Sequence, residues 1–566
     1  MIKIGRFRPR VQKQPVNPEK LWVLFRLFFN FKSIFMNKRP YIYLPLFLAL
    51  ALIVGILIGT YLLPSGNKNN SLFNFSRYDK FNDVMNYIES DYVDTINKKN
   101  LLEKAITGLL ESLDPHSAYI SAEDFNDAND PLKGNFDGIG VQFRVIRDSI
   151  VVINTVPGGP SEQLGILAGD RIVKIDGKNV AGIKIPDTEV MKRLKGKRGT
   201  TVSVSIFRKD EPGLLSFLIT RNVIPTYSVD IAYMFNSEIG YIKLSKFSST
   251  TADEVYNAIA SLKNQGMRKL IFDLRGNGGG YLDAAISIAD EFLPKGKTIV
   301  YTEGSHRARQ NYYSENSGLF ETQNMVILID EFTASASEIV SGAIQDNDRG
   351  LIIGRRSFGK GLVQEQIQLN DGSAVRLTVA RYHTPTGRCI QKPYTSDIYE
   401  YYSEFYNRLL DENADAADSL NFADTVRYKT PKGKIVYGGG GIMPDIYVPF
   451  KSEYISAYYR KTISKGLIYE YAFDYADKNR RQLKKYGNAK NFISSYQVSD
   501  ETLNDFISFA EKKGLPKNEA EIKVAEPNLK ALLKGAIGRN IYDDPAFYPV
   551  ILPSDQIFQK ALDVLK

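Results

Sequence analysis

An uncharged run of apolar residues lies near the N-terminus of the chain. Residues 42–63 read IYLPLFLALALIVGILIGTYLL and carry no charge. As a helix that rises about 1.5 Å per residue, the run would be about 33 Å long, which matches the hydrocarbon core of a bilayer. A buried core helix is the alternative interpretation, but such helices rarely lack a polar face. The pattern therefore predicts one transmembrane helix, which we place at residues 41–63.

Beyond this run the hydrophobic pattern divides the chain into five segments. A polar linker spans 64–77, and apolar residues recur at helical spacing over 78–130. Short β-type runs with two helices between them fill 131–222. Strands and helices then alternate over 223–450, as in an α/β layer, and helical spacing returns over 451–566. The predicted fold class is multidomain α/β and α+β, with an N-terminal transmembrane helix and a C-terminal helical region.

The positive charge of the chain is concentrated at one end. Residues 1–40 hold ten basic residues and one acidic residue, and the remainder holds 63 of each sign, so the net charge of +9 arises in the N-terminal tail. No basic surplus is left for a phosphate backbone, which argues against nucleic acid as a partner. Positive residues that precede an apolar span face the cytoplasm. We therefore expect a basic cytoplasmic tail at 1–40 and the rest of the chain beyond the membrane.

The N-terminal segment raises two questions of processing. No small-residue cleavage site follows the apolar span, so we expect an uncleaved anchor rather than a removed signal peptide. Met36 would by itself begin an anchor of ordinary length. The sequence leaves open whether translation starts at Met1 or at Met36.

The residues that commonly hold metals or form disulfides are few. Cys389 is the only cysteine, which excludes an intrachain disulfide. The three histidines, His116, His306 and His383, are too scattered for a metal site with helical or hairpin spacing. We therefore expect neither a metal nor a cofactor.

A glycine-containing turn opens the β-rich segment and runs straight into a strand. The residues are Gly138, Ile139, Gly140 and Val141 of the stretch GIGVQF. Such a turn aims backbone N–H groups at one point, which suits the terminal carboxylate of a peptide, while the strand edge pairs with the peptide. The glycines alone are equally consistent with an ordinary tight turn. With GGPSEQLGILAGDRIVKIDGKNV downstream, however, the segment resembles a PDZ domain, and we take these four residues as candidate peptide-binding residues.

The stretch GRRSFGKGLVQ, residues 354–364, fits the front of a phosphate-binding P-loop. Gly354, Gly359 and Lys360 stand at the required spacing, but Gly361 occupies the position where a hydroxyl must hold magnesium. A dinucleotide fingerprint that starts at Gly276 fails in the same way, because Tyr281 stands where a glycine is needed. A nucleotide-dependent enzyme is therefore a weak interpretation, and Lys360 needs another role.

Serines at the start of a predicted helix offer a candidate nucleophile. In TASASEIVSG either Ser335 or Ser337 precedes the helix, and Glu338 completes a capping box with Ser335. An N-cap role explains such serines in most proteins, and a nucleophile also needs a nearby base. The glycine turn of DLRGNGGG, residues 273–280, offers converging backbone amides of the kind an oxyanion hole requires.

The candidate base is Lys360, which follows Ser335 after one predicted helix and one predicted strand. A helix and a returning strand in an α/β layer bring positions so spaced to one end of the sheet. A lysine that is neutral at pH 7 costs about 4.6 kcal/mol in water, but burial lowers a lysine pKa by up to about 3–5 units. A serine–lysine pair is therefore energetically feasible.

Six motifs together carry a resemblance to a known family. They are LDPHSAYIS, DLRGNGGG, TASASEIVSGAIQD, GRRSFGKGLVQ, RYHTPTGRCIQ and YGGGGIMPDI. In combination they closely resemble the C-terminal processing peptidases of family S41, which are tail-specific serine proteases, membrane-associated or exported, with an inserted PDZ domain. The resemblance covers about residues 75–450, and Thr333 is a conservative departure where many members have serine. It implies a protease core with layers like those of crotonase and ClpP.

The resemblance also implies roles for particular residues. The nucleophile would be Ser335, the general base Lys360 and the residue that orients the lysine Gln364. The oxyanion donors would be the N–H of Ala336 and that of a glycine in NGGG, either Gly279 or Gly280.

The function expected from residues and resemblance together is a membrane-anchored serine endopeptidase with Ser–Lys catalysis. It would bind the exposed C-terminal tails of proteins through its PDZ domain and cleave or degrade those proteins. We expect a single-pass protein of a bacterial inner membrane with a periplasmic catalytic region. A catalytically inactive PDZ scaffold is the alternative. The oligomeric state, whether homodimer or higher oligomer, stays open, as does the role of residues 451–566.

Overall fold

The computed structural model describes residues 44–62, 80–209, 211–394, 398–410, 427–449 and 455–566. The chain divides into two compact units, residues 1–96 and 97–566. The first unit contains two described helices, α1 (Leu44–Leu62) and α2 (Lys80–Asp91). The predicted basic tail and the predicted linker, with the question of Met1 or Met36, lie outside the described residues.

The predicted transmembrane anchor is wrong. Helix α1 is described over 19 residues, Leu44–Leu62. Across the described residues, no helix combines the length and the apolar character that crossing a membrane requires. The predicted location, a single-pass inner-membrane protein with a cytoplasmic N-terminus and a periplasmic catalytic region, is wrong for the same reason.

The second unit opens with a short helical segment. It comprises α3 (Lys98–Glu111), β1 (Ala118–Ile120) and α4 (Phe125–Lys133). The side chain of Asn97 caps α3 by accepting a hydrogen bond from the N–H of Asn100. Strand β1 does not belong to this segment alone, because it pairs antiparallel with a later strand of the core.

The β-rich segment forms a small antiparallel sheet with two helices. Its elements are β2 (Asn135–Gly138), β3 (Val141–Ile146), β4 (Ser149–Thr155), α5 (Pro160–Gln163), β5 (Arg171–Ile175), β6 (Lys178–Asn179), α6 (Asp187–Leu194), β7 (Thr201–Phe207), β8 (Leu214–Thr220) and β9 (Asn222–Pro225). The strand order is β3-β4-β5-β7-β8, so β3 lies at one edge. Buried and exposed residues alternate along β7, as expected for a sheet with one face on a core. Strands β2 and β9 pair with each other where the chain enters and leaves the segment.

The central sheet of the molecule has six strands in the order β10-β11-β12-β15-β16-β21 and is parallel except for β10. Its strands and the helices between them are β10 (Val229–Met234), β11 (Ile239–Leu244), α7 (Thr251–Asn264), β12 (Lys269–Asp273), α8 (Leu282–Asp290), β15 (Asn324–Ile329), α9 (Ala336–Asp346), β16 (Leu351–Gly354) and β21 (Ile446–Tyr447). One face packs on α7, α8 and α9 through residues such as Phe272 and Ile327. The other face presents Ile271 and Leu328 to a C-terminal helix. Because both faces are covered, β15 is almost continuously buried.

A second sheet of five strands stands beside the central one. It contains β1, β13 (Thr298–Gly304), β14 (Arg307–Tyr313), β17 (Leu362–Gln368) and β18 (Ala374–His383). Strand β18 pairs with β1, β13 and β17, so the N-terminal segment is joined to the core through it. After β18 come α10 (Ile398–Leu410) and the pair β19 (Arg427–Lys429) and β20 (Ile435–Tyr437).

The last part of the chain is helical. Its helices are α11 (Ala457–Ser464), α12 (Leu467–Leu483), α13 (Ala489–Ser495), α14 (Asp500–Lys512), α15 (Glu519–Tyr542), α16 (Tyr548–Ile551) and α17 (Gln556–Leu565). Helix α17 places Phe558 and Ala561 on the second face of the central sheet. Beside it Arg275 pairs with the buried Asp273 and with Asp555, each at 2.6 Å. Helix α12 contacts the β-rich segment, where Asp474 pairs with Arg147.

Candidate active site

Ser335 stands at the start of α9 in a backbone conformation that is rare for a residue with a side chain. Its φ is 56° and its ψ is −116°. Gly279 approaches it so closely that a Cβ at residue 279 would lie 2.8 Å from the Cβ of Ser335 and 2.8 Å from the N of Ala336. Such strain persists only where surrounding contacts hold the residue in place. The glycine turn therefore supplies the room that lets Ser335 project from the helix terminus.

The buried side chain of Glu338 connects the loops of Ser335 and Lys360. Its Oε2 accepts from the backbone N–H of Ser335 at 2.7 Å and of Lys360 at 2.9 Å. Its Oε1 accepts from the N–H of Gly359 at 2.8 Å and from the hydroxyl of Ser357 at 2.5 Å. Burial raises the pKa of Glu338, and these hydrogen bonds oppose the rise. One carboxylate thus fixes the distance between two segments that lie on either side of a helix and a strand.

Lys360 lies between β16 and β17 with its amine turned to a neighbouring amide. Its Nζ donates to Oε1 of Gln364 at 3.0 Å, and Nε2 of Gln364 donates to the carbonyl oxygen of His116 at 2.6 Å. Burial lowers the pKa of Lys360 and Arg376 acts in the same direction, while Asp114 and Glu338 oppose them. The lowered pKa favours the neutral amine, which is the form that can accept a proton.

Tyr382 brings the backbones of Ser335 and Lys360 together. Its buried hydroxyl donates to the carbonyl oxygen of Lys360 at 2.7 Å and lies 3.1 Å from that of Ser335. Among the hydrogen bonds of the described residues, none joins the Ser335 hydroxyl to Nζ of Lys360. Contacts between catalytic groups are often long before substrate binds and shorten in the complex.

The candidate oxyanion donors differ in whether their N–H groups are occupied. The N–H of Gly279 donates to Oδ1 of Asn277 at 2.9 Å within its own turn. For Gly280 and Ala336 the described hydrogen bonds include no acceptor for the backbone N–H. Ala336 is the first residue of α9, where the helix dipole also favours negative charge. Gly280 and Ala336 are therefore the pair whose N–H groups have no acceptor among the described residues.

The four candidate peptide-binding residues lie along one end of the β-rich sheet. Gly138 ends β2, and the carbonyl oxygen of Ile139 accepts from the N–H and the hydroxyl of Ser161. Gly140 has a φ of +74°, which suits glycine, and Val141 begins the edge strand β3. A cavity of about 300 Å³ runs along this edge. Its apolar lining includes Ile139, Val141 and Phe143 on one side and Met191 and Leu194 of α6 on the other.

Comparison with known proteins decides the family. The model of peptidase family S41 matches residues 238–399, and a PDZ domain model matches 138–217. The carboxy-terminal-processing protease of Bartonella bacilliformis is 38% identical over 330 residues, which cover 57% of this chain and 74% of that protein. The chain belongs to the carboxy-terminal processing proteases of peptidase family S41.

A second relative agrees with this membership. The carboxy-terminal processing protease CtpA of Bacillus subtilis is 35% identical over 318 residues, 56% of this chain and 67% of that protein. The solved photosystem II D1 C-terminal processing protease is 26% identical and covers 66% of this chain and 88% of its own, with a TM-score of 0.35. Residues 63–124 match the N-terminal domain of the activating protease CtpB, and residues 458–543 match a family of unknown function, DUF8443. The resemblance predicted from the motifs, the PDZ domain and the assignment as a serine-type peptidase are confirmed.

Several residues around this S41 site were not identified from the sequence. Glu338 was interpreted only as half of a capping box, Asn277 only as part of a glycine turn, and Tyr382 not at all. In the sequence His116 is one of three scattered histidines, although it stands in the motif LDPHSAYIS that contributes to the resemblance. That motif could have pointed to His116, because no other role was assigned to it. Its contact with Gln364 could not be foreseen, since the motif lies far from the other motifs in the sequence.

Proposed function

We propose that this carboxy-terminal processing protease cuts its protein substrates by a serine–lysine mechanism in which Ser335 is the nucleophile and Lys360 the general base. The observation that carries the proposal is the carboxylate of Glu338, which accepts from the backbone N–H groups of both residues. A capping role for Glu338 would require only the hydrogen bond from the N–H of Ser335, and not the one from the N–H of Lys360. The lowered pKa of Lys360 and its hydrogen bond to Gln364 support the same roles.

In the proposed reaction the neutral amine of Lys360 takes the proton of the Ser335 hydroxyl as its oxygen attacks the scissile carbonyl carbon. The N–H groups of Ala336 and Gly280 receive the negative charge that forms on the carbonyl oxygen. Lys360 then gives the proton to the leaving amine, and an acyl-enzyme remains on Ser335. Lys360 next takes a proton from a water molecule whose oxygen attacks the ester carbon, and it gives this proton to the oxygen of Ser335 as the ester bond breaks. Gln364 accepts a hydrogen bond from Nζ throughout and so limits the rotation of the lysine.

Substrates would be selected at the PDZ domain. The C-terminal tail of a substrate protein would add as a strand to β3, whose edge the domain leaves unpaired in the strand order. Its terminal carboxylate would meet the turn from Gly138 to Val141, and its last apolar side chain would enter the cavity between β3 and α6.

The test is cleavage of a folded model protein that carries an apolar C-terminal tail. We expect the parent to degrade it, and Ser335→Ala and Lys360→Ala each to lose at least about a thousandfold in kcat, as for other serine–base pairs. The same protein with a tail of acidic residues should be cut more slowly. Retention of activity by either variant would overturn the proposed catalytic pair.

A further inference from the structure

The amide of Gln364 has only one orientation that satisfies its surroundings. Its Oε1 accepts from Nζ of Lys360, and its Nε2 donates to the carbonyl oxygen of His116 at 2.6 Å. The reversed amide would turn its NH₂ group toward the amine of Lys360 and its oxygen toward a carbonyl oxygen. The carbonyl oxygen of His116 therefore orients the amide so that Oε1 of Gln364 faces Nζ of Lys360.

The turn that carries this carbonyl is itself firmly held. Asp114 is buried, and its carboxylate accepts from the N–H groups of His116 and Ser117 at 2.9 and 2.8 Å and from the hydroxyl of Ser117 at 2.6 Å. The hydroxyl of Thr378, on β18, donates to the same carboxylate at 3.1 Å. The turn is thus anchored to the strand that also pairs with the strand of Gln364.

The side chain of His116 is held by a residue from another part of the chain. Its Nε2 lies 3.0 Å from the hydroxyl of Tyr401, on helix α10, and the two rings meet edge to face at 5.3 Å. Nε2 of Gln391 donates to the same hydroxyl at 3.3 Å. When the Tyr401 hydroxyl donates to Nε2 of His116, the neutral imidazole carries its proton on Nδ1.

Tyr401 is consequently connected to both neighbours of the base, Gln364 and Gly361. Through His116 it reaches Gln364. Through Gln391, whose Oε1 accepts from the N–H of Gly361 at 2.8 Å, it reaches the residue that follows Lys360. The match to the S41 model ends at residue 399, so Tyr401 lies beyond the segment that the family model describes.

The groups around the base keep the side chains of His116 and Tyr401 uncharged. Burial lowers the pKa of His116 to about 3, and Lys360 acts in the same direction, so the imidazole stays neutral. Burial raises the pKa of Tyr401, which keeps its proton available to donate. Lys392 donates to the carbonyl oxygen of Tyr401 at 2.8 Å.

The remaining groups that act on the Lys360 amine are charged. Arg376 lowers its pKa, and Asp114 and Glu338 raise it. The buried hydroxyl of Tyr382 bonds to the carbonyl oxygen of Lys360. The rings of His116 and Tyr401 form an uncharged wall together with Phe358, whose ring lies 5.7 Å from that of Tyr401. The ammonium of Lys392 lies 4.2 Å from the centre of the Tyr401 ring.

We propose that Tyr401 and His116 are positioning residues for the base: they fix the amide of Gln364 and close the wall beside it, and so keep Lys360 neutral. The proposal deepens the serine–lysine mechanism and rests on it. Both residues act through Gln364 and Gly361.

The test compares Tyr401→Phe with Tyr402→Phe. The first variant keeps the ring and removes the hydroxyl between His116 and Gln391. The second removes a hydroxyl of the same helix that donates to the carbonyl oxygen of Pro115, in the same turn, at 3.3 Å. Two rates are measured against pH: kcat/KM for a short peptide, and the rate at which a fluorophosphonate probe labels Ser335.

In the parent both rates should rise with pH as Lys360 loses its proton. In Tyr401→Phe we expect the midpoint of this rise to move about one pH unit to higher pH, because water enters beside the amine. The rate near neutral pH should then fall about tenfold and recover in alkaline solution. Tyr402→Phe should leave the midpoint unchanged. His116→Asn, which keeps the backbone carbonyl, should shift it in the same direction as Tyr401→Phe.

A uniform loss of rate at every pH in Tyr401→Phe, or an unmoved midpoint in both Tyr401→Phe and His116→Asn, would overturn the positioning role. Failure of the underlying mechanism gives a different result. If Lys360→Ala still labels at the parental rate with the parental pH profile, the serine–lysine pair itself is wrong. Should Tyr401→Phe not fold, His116→Asn alone decides the matter.

Discussion

The PDZ groove and the catalytic centre are built on opposite plans. In the groove the edge strand β3 pairs with β4 on one side only, within the described sheet, and faces an apolar cavity of about 300 Å³. In the catalytic centre both oxygens of the buried Glu338 and both ends of Gln364 are hydrogen-bonded within the protein. A binding site needs unsatisfied groups that a ligand can complete, whereas a catalytic site needs support that does not move when the substrate arrives. Changes to the groove should therefore alter substrate affinity, and changes to the support should alter kcat and stability together.

The largest effect that would sharpen this contrast is expected for Glu338→Gln. The amide cannot accept four hydrogen bonds, so at least two buried donors lose their partner, at about 1–3 kcal/mol each. We expect the free energy of unfolding to fall by about 2–5 kcal/mol and kcat to fall at least about a hundredfold. Urea unfolding and peptide cleavage measure both quantities. Glu303→Gln, on an exposed position of β13, is the control, and equal behaviour of the two variants would contradict the linking role of Glu338.

Lys360→Met should separate the activity of the centre from its stability. Because burial lowers the pKa of Lys360 from its ordinary value of 10.5, the unfolded chain binds this proton more tightly than the folded one. At pH values below the folded pKa the folded state bears the whole cost of the buried charge, and stability rises as the pH climbs from there toward 10.5. Removing the charge should abolish cleavage yet raise the free energy of unfolding at neutral pH by about 1–3 kcal/mol.

The gain in Lys360→Met should shrink as the pH approaches 10.5, which unfolding measured at several pH values will reveal. Lys295→Met, on an exposed position, is the matched control. If the variant is inactive and less stable at neutral pH, the contacts of the Lys360 amine contribute more free energy to folding than burial of its charge costs.

Met191→Glu should act on the groove alone. Met191 lines the cavity opposite β3, and a carboxylate there would repel the terminal carboxylate of a tail and remove apolar contact. We expect KM for a protein with an apolar tail to rise about tenfold, which is about 1.4 kcal/mol of binding, with kcat unchanged. Lys192→Gln makes the same change of one charge unit on the exposed side of α6. A fall in kcat with an unchanged KM would break the contrast between the two sites.

The smallest effect is expected where the C-terminal helices meet the PDZ domain. The ion pair of Arg147 with Asp474 is partly exposed on both sides, so solvent and salt screen it. Arg147→Gln, Asp474→Asn and the double variant should give a coupling energy of about 0.5 kcal/mol in urea unfolding. A coupling above about 2 kcal/mol would mean that this contact holds the PDZ domain in place.

The sequence predicted the α/β core, the β-rich segment and the catalytic candidates because each depends on local pattern or on a compact motif. Ser335 precedes a helix, Lys360 follows a strand, and Gln364 is four residues further on. The domain boundaries and the roles of these residues stay predictions. What the sequence could not provide depends on contacts between distant segments. Tyr401 lies 285 residues from His116, and no spacing rule connects them.

Two other predictions depended on detail finer than a pattern supplies. The choice between Gly279 and Gly280 as an oxyanion donor turns on the side chain of Asn277, which occupies one of the two N–H groups. The transmembrane helix was predicted from the length of an uncharged run, whereas the part of the chain that the structure describes contains no helix with both the length and the apolar character of a span.

The pairing of Arg275 with Asp273 and Asp555 has a consequence for synthesis of the chain. The last strand of the central sheet is complete at Tyr447, but the residues that cover its second face belong to α17, and Asp555 directly precedes that helix. Until this stretch leaves the ribosome, Arg275 lacks the carboxylate of Asp555, and the apolar second face of the central sheet is exposed to water. We therefore expect the catalytic domain to mature only after translation has passed residue 565, so that a nascent protease is not yet able to cut its neighbours.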